Sequence, residues 1–291
     1  MMDLTPIGIQ LLHGLIFSLM ISLTALGLVL ILGMLNCVNM AHGDLFMMGA
    51  FLMALSIDFI PNFWIALAIS CVVVGGICVV IEFFCLRPIY TRKEYGTWSF
   101  IVTTGISIIL VESARIYFEV SGKTFTTVVS PIQGTITIMG VDYPLYRIFV
   151  GGIAVIAIIL LWLFVNKTEF GAVVRATIHD PVMAECLGIN VNRIRMVTFI
   201  TGGVLAAFVG GLLSVFVSIY AEMGEGILVW CLTLVIFAGM GSIFGVVCSA
   251  LLLGELYYLL CLWLRPLHAE AVVFLLLLLM LIIRPRGLFG R

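Results

Sequence analysis

From Leu11 to Leu35 the chain carries no Asp, Glu, Lys or Arg. That run exceeds the ~20 apolar residues that a helix needs to cross the hydrocarbon core of a bilayer. Apolar runs with at most two charged residues each recur from Trp64 to Cys85, Trp98 to Phe118, Leu145 to Val165, Met196 to Tyr220 and Ile243 to Leu264, with shorter ones from Ile227 to Phe237 and Ala271 to Ile283. A soluble domain could not hide so much apolar surface: the sequence is 63% hydrophobic and 10% charged, with mean hydropathy +1.29. The fold class is therefore all-α, a polytopic membrane helix bundle of eight to nine spans with Gly-interrupted segments. It is read as a single transmembrane domain over residues 1–291. A formal net charge of -1 gives no basic footprint for nucleic acid. Eight cysteines are present without a CxxC pair, so neither a disulfide framework nor a metal site is indicated. No Lys or Arg precedes the first apolar run, which is unlike a secretory signal, and that run is expected to stay in the mature protein.

Charge sets the sidedness. Arg87, Arg92 and Lys93 lie in one connection, Lys167, Arg175, Arg193 and Arg195 in another, and Arg284, Arg286 and Arg291 follow the last apolar run. These segments are expected in the cytoplasm and residues 119–146 outside. Thr124, Thr126, Thr127, Val128 and Val129, then Thr135 to Ile138, predict a short hairpin within that connection. Gly122-Lys123-Thr124 in that stretch imitates the end of a phosphate loop, but Tyr117 stands where such a loop needs glycine. If Leu11–Leu35 and the stretch after Gly43 both cross, the N-terminus is outside with nine spans; if one re-enters, eight remain.

Two interruptions break the apolar pattern. Asn36, Asn39, His42 and Asp44 cluster around Gly43 in an otherwise apolar region. Polar, irregular backbone at membrane depth is tolerated only where it lines a cavity or is buried in protein. These residues are candidates for a translocation pathway, the plainer reading being a solvated turn. Gly239, Gly241 and Ser242 form the second break, and Glu255 sits deep in the apolar stretch beyond it. Interruptions in the two halves of a chain point to a transport site, and all four join the pathway candidates. Gly202, Ala206, Gly210 and Ser214 recur at fours and predict close helix approach. Glu112 and Arg115, three apart, are placed to pair on one helix face.

The connection 166–195 predicts a short helix from Pro181 to Leu187. Asp180 caps it, Pro181 opens it and Gly188 ends it. A short helix across the cytoplasmic mouth offers a docking surface for a soluble partner.

Four stretches then carry a family resemblance: Asn39-Met40-Ala41-His42-Gly43-Asp44; Arg175-Ala176 with His179-Asp180-Pro181 through Ala184 to Gly188-Ile189-Asn190; Ala238-Gly239-Met240-Gly241-Ser242-Ile243-Phe244-Gly245; and Arg284-Pro285-Arg286-Gly287-Leu288-Phe289-Gly290. Together the chain resembles the permease subunits of ABC importers, of the high-affinity branched-chain amino-acid type. Ala184 and Gly188 keep the Ala-to-Gly spacing of the EAA coupling motif, while Val182 and Met183 replace its glutamate and first alanine.

The resemblance implies a non-enzymatic transport subunit in the bacterial inner membrane. It implies a paralogous permease, two ATP-binding subunits and a periplasmic or lipid-anchored binding protein as partners, and no cofactor. Residues 166–195 become a cytoplasmic coupling loop, with Arg175, Asp180, Pro181, Ala184, Gly188 and Asn190 serving the ATPase contact. A urea or short-amide importer shares these motifs. A stand-alone secondary transporter would work without ATP or partners. An intramembrane enzyme is disfavoured, since neither HExxH nor GxSxG occurs.

Overall fold

A computed structural model describes residues 5–35, 38–121, 130–138, 140–239 and 241–289. Helix α1 (Thr5–Leu35) precedes α2 (His42–Phe59) and α3 (Phe63–Val80), which continues as a π-helical turn, Ile81–Leu86, and a 3₁₀ turn, Arg87–Ile89. Helix α4 (Tyr95–Ser121) is followed by a hairpin of β1 (Thr135–Ile138) and β2 (Val141–Pro144), then α5 (Leu145–Lys167). Two short helices, α6 (Glu169–His179) and α7 (Pro181–Cys186), lead into α8 (Val191–Leu213). Helices α9 (Met223–Ala238), α10 (Ile243–Leu260) and α11 (Pro266–Ile283) complete the order. Among the described residues eight helices are long and apolar enough to cross a membrane. Helix α9 has 16 residues, about 24 Å at 1.5 Å per residue, and falls short of the ~30 Å core. The all-α membrane bundle is as expected.

Local chemistry sets the boundaries. Asn62 accepts hydrogen bonds from the Trp64 and Ile65 amides, Thr168 from Gly171, Asp180 from Met183, Asn190 from Arg193 and Ser242 from Gly245. Each side chain satisfies donors that a first helical turn leaves unpaired. A hairpin is formed by 135–138, which the predicted Thr- and Val-rich run includes, with 141–144, which it does not, pairing Thr135 with Pro144 and Ile138 with Val141. The Thr-rich run 124–129 and Gly122-Lys123-Thr124 lie outside the described residues.

The chain forms two compact units. One comprises Gly27–Val129 and Leu160–Val229. Its spine is α8, and the small-residue stripe on that helix is where neighbours close in. A Cβ added at Gly27 would stand 2.7 Å from the Gly202 carbonyl oxygen, and one added at Gly202 equally close to that of Gly27. Gly49 lies against the Ala207 backbone, Gly210 against the Phe46 carbonyl, and Gly203 against Cys78. Met34, Val174 and Ile194 form a small core that seats α6 against the ends of α1 and α8.

The second unit comprises Met1–Leu26, Ser130–Ile159 and Trp230–Arg291. His13 Nδ1 lies 2.8 Å from the Arg147 guanidinium and 3.2 Å from the Tyr143 hydroxyl, so the start of α1 and the hairpin share one end. Phe17, Trp230 and Tyr257 pack edge to face nearby, with Phe17–Trp230 and Trp230–Tyr257 centroids 5.4 and 5.3 Å apart. At the other break, the Leu288 amide donates to the Phe237 carbonyl at 3.0 Å and the Phe289 amide to Ala238 at 2.8 Å. Thus Leu288 and Phe289 of the fourth resembling stretch bond Phe237, just before the third, and Ala238, its first residue.

Candidate functional site

A turn at Asn39–His42 precedes α2. The Asn39 side-chain oxygen accepts from the Ala41 amide at 3.1 Å, the His42 amide donates to the Asn39 carbonyl at 3.2 Å, and the Met40 amide donates to the Thr103 hydroxyl at 3.2 Å. Thr103 is eight residues into α4, about 12 Å from its first residue, so α2 starts inside the bundle rather than at its end. Asn39 and His42 are 0% exposed and Asp44 4%. Asp44 occupies the first turn of α2, where the helix dipole favours a carboxylate, and it hydrogen-bonds Ser107. The Asn39 side-chain amide has no acceptor among the described residues.

Against this turn lies the start of α9. A Cβ added at Gly43 would meet the Gly224 backbone and stand 2.9 Å from Leu228 Cβ. One added at Gly224 would stand 2.6 Å from Asp44 Oδ1 and 2.7 Å from the Gly43 carbonyl oxygen. Two helices therefore begin face to face, glycine on glycine, with Asp44 at the amino end of both. Glu225, exposed in the first turn of α9, is within electrostatic range of Asp44. Sequence analysis assigned Gly224 and Glu225 no role in the pathway. The signal was there: His42-Gly43-Asp44 and Met223-Gly224-Glu225 share a residue–glycine–acid order. Just before α9, Glu222 bonds Arg115 at 2.5 Å, and Arg115 also bonds Glu112 at 2.6 Å, the predicted pair. The Arg115 hydrogen bond holds the Glu222 carboxyl below its ordinary range.

The α6–α8 segment carries the second group of predicted residues. Arg175 donates to the Val165 carbonyl and ties α6 to the end of α5. Asp180 caps α7, Pro181 opens it and Asn190 caps α8. Leu187 is the C-cap of α7, one residue beyond its last helical position. Gly188 has φ +81°, its amide donates to Glu185 at 2.9 Å, and the Ile189 amide donates to Ala184 at 3.1 Å. These paired bonds form a Schellman end, which needs a residue at ease with positive φ. Ala184 is 2% exposed and faces inward. The six predicted residues thus give the helix its shape. Its outer face is made by Val182, Met183 and Leu187, exposed at 69, 58 and 73%, of which sequence reasoning noted Val182 and Met183 only as departures from the coupling motif.

Gly239, Gly241, Ser242 and Glu255 belong to the other unit and are not among the residues gathered around Asp44. Gly239 and Gly241 have φ +93° and +91°, Ser242 caps α10, and Glu255 lies against Gly14. Asn36 lies outside the described residues.

Interrupted apolar helices around a buried polar turn define an integral-membrane transport permease. The chain belongs to the family described as the permease component of branched-chain amino acid transport systems, matched over residues 10–283. It is a multi-pass membrane subunit of a transport system. It is 28% identical to the high-affinity branched-chain amino acid transport system permease protein BraD of Pseudomonas aeruginosa, across 97% of this chain and 95% of that one. It is 26% identical to the probable branched-chain amino acid transport permease protein LivH of Methanocaldococcus jannaschii, across 95% of this chain and 90% of that one. Among solved structures, PsaBC from Streptococcus pneumoniae in complex with Fab aligns with TM-score 0.48 and 15% identity, covering 91% of this chain and 89% of that one.

Proposed function

We propose that this chain is one half of the membrane pathway of an ATP-driven importer for branched-chain amino acids in the bacterial inner membrane. ATP is hydrolysed on two separate subunits that dock under α7. A paralogous permease completes the pathway, and a binding protein outside the membrane delivers substrate. Support for the coupling assignment comes from α7 itself: a capped, rigid turn that displays Val182, Met183 and Leu187 to solvent. Such apolar exposure on a short surface helix suits burial against a protein partner.

The observation that carries the pathway assignment is the meeting of α2 and α9 at Gly43 and Gly224. Neither helix passes the other there, so the buried polar turn at Asn39–Asp44 sits where continuous backbone stops. Helices that stop at depth expose polar ends to a transported solute. Residues 166–195 serve as the coupling loop, with Arg175, Asp180, Pro181, Ala184, Gly188 and Asn190 shaping it. Gly239, Gly241, Ser242 and Glu255 contribute to the pathway from their own unit.

Reconstitution with the paralogue, both ATPases and the binding protein tests the reading. Labelled leucine should enter vesicles only with ATP and all partners. Uptake of urea with none of leucine would replace the substrate, and uptake by this chain alone without ATP would replace the importer by a secondary transporter.

A further inference from the structure

Glu82 has no role in the pathway or at the docking helix, yet it is 1% exposed and neither carboxyl oxygen has a hydrogen-bond partner among the described residues. It lies in the π-helical turn Ile81–Leu86 that ends α3, a turn closed by the Arg87 amide bonding the Glu82 carbonyl. Such turns insert an extra residue, lack the tight packing of an α-helix, and concentrate at functional positions. Two arginines are within electrostatic reach of Glu82, Arg87 and Arg195. Neither bonds it. Arg87 sits over the Phe83 ring at 5.3 Å and Arg195 over the Tyr90 ring at 4.4 Å.

Arg195 is the arginine that can change place. It is the fifth residue of α8, directly beyond α7 and the Gly188–Asn190 turn. Farther along, α8 is fixed to α3 where Gly203 meets Cys78 and where Gly75 meets Val204 and Ile200. Those contacts join the two helices. Arg195 stands eight residues from Gly203, about 12 Å, on the α7 side. Glu82 stands four residues from Cys78, about 6 Å, toward the same end. Arg195 thus links the segment just beyond α7 to the π turn, within electrostatic reach of Glu82. A ring face holds a guanidinium weakly compared with a carboxylate, which offers bidentate, charge-assisted bonds.

Resting on the reading of α7 as the ATPase-facing helix, we propose that Glu82 is a positioning residue for coupling. In a second state of the transport cycle Arg195 leaves Tyr90 and pairs with Glu82, locking α8 to the π turn of α3. The buried carboxylate is thus the waiting half of an ion pair, and the aromatic ring parks the other half.

The test uses the complete reconstituted importer and reads ATP hydrolysed per substrate molecule imported, a ratio independent of how much protein folds. Glu82→Gln and Arg195→Gln should each raise that ratio about threefold, and the double variant no further than either single, as for two halves of one contact. Exchanging the charges, Glu82→Arg with Arg195→Glu, should restore coupling. Unchanged ratios in both single variants, or single effects that multiply in the double, would overturn the proposal. If Glu82→Gln fails to reach the membrane, the exchanged pair decides, and no gain over Arg195→Glu alone would sink the pairing. Uptake by the unaltered assembly without ATP would remove the reading of α7 and this proposal together.

Discussion

Gly43 and Gly224 lie backbone against backbone where α2 and α9 begin, with no room for a Cβ on either. Gly224→Ala should therefore displace one helix start. Overpacked sites cost about 1–3 kcal/mol, so the thermal midpoint of the purified permease should drop by several degrees and uptake should fall with it. Gly226, whose added Cβ would meet nothing within 4 Å, is the control: Gly226→Ala should behave as wild type. Thermal unfolding followed by size-exclusion in detergent distinguishes the two.

Asp44 faces the amino ends of both helices and bonds Ser107. Asp44→Asn preserves its size but removes the charge that the helix ends favour, an interaction worth about 0.3–2 kcal/mol. Uptake should fall roughly tenfold while the amount in the membrane changes little, a barrier change of about 1.4 kcal/mol. Retained uptake would return the Asn39–Asp44 turn to a purely structural role.

On α7 the exposed and buried positions should separate. Val182→Asp and Met183→Asp should abolish copurification of the ATPase without lowering expression, since both side chains point outward. Ala184→Arg should instead lower the yield of folded permease, because a long charged side chain cannot be accommodated in a 2% exposed site. Gly188→Ala, at φ +81°, should cost about 1 kcal/mol and weaken ATPase binding only partly.

The Glu222 carboxyl is depressed below its ordinary value of 4.5 by the Arg115 hydrogen bond. A depressed carboxyl stabilises the fold above its unfolded value, and that contribution disappears as pH falls through the folded value. Arg115→Gln should thus cost stability at neutral pH, and the difference from wild type should shrink progressively below about pH 4.5. The pair is exposed, so the neutral-pH difference should stay under about 1 kcal/mol and fall further in salt. Denaturation profiles at two ionic strengths measure both.

Much of this was legible in the residues because single side chains dictate local backbone. Asp180, Pro181 and Gly188 specify α7 almost to the residue, and the spacing from Gly202 to Gly210 announces close helix approach. The hairpin was legible as strand propensity, though its pairing register was not. Contacts across long sequence separations left no local trace. That Gly224 would meet Gly43 is visible only once α8 returns the chain, although the shared glycine–acid order hinted at it. The exposed face of α7 was missed for the opposite reason: Val182, Met183 and Leu187 look like ordinary apolar residues until Ala184 is seen to occupy the inward side.

The bonds from Leu288 and Phe289 to Phe237 and Ala238 also impose an order of assembly. Those carbonyls are synthesised about fifty residues before their partners, roughly 3–10 s at the speed of a translating ribosome. Over that interval the residues of α10 and α11 are synthesised while the joint at Gly239 is still open. The last described residues act as a clasp fastened after the helices are in place. A released chain ending between Ile283 and Leu288 would hold every described spanning helix and still lack the closure that fixes the end of α9.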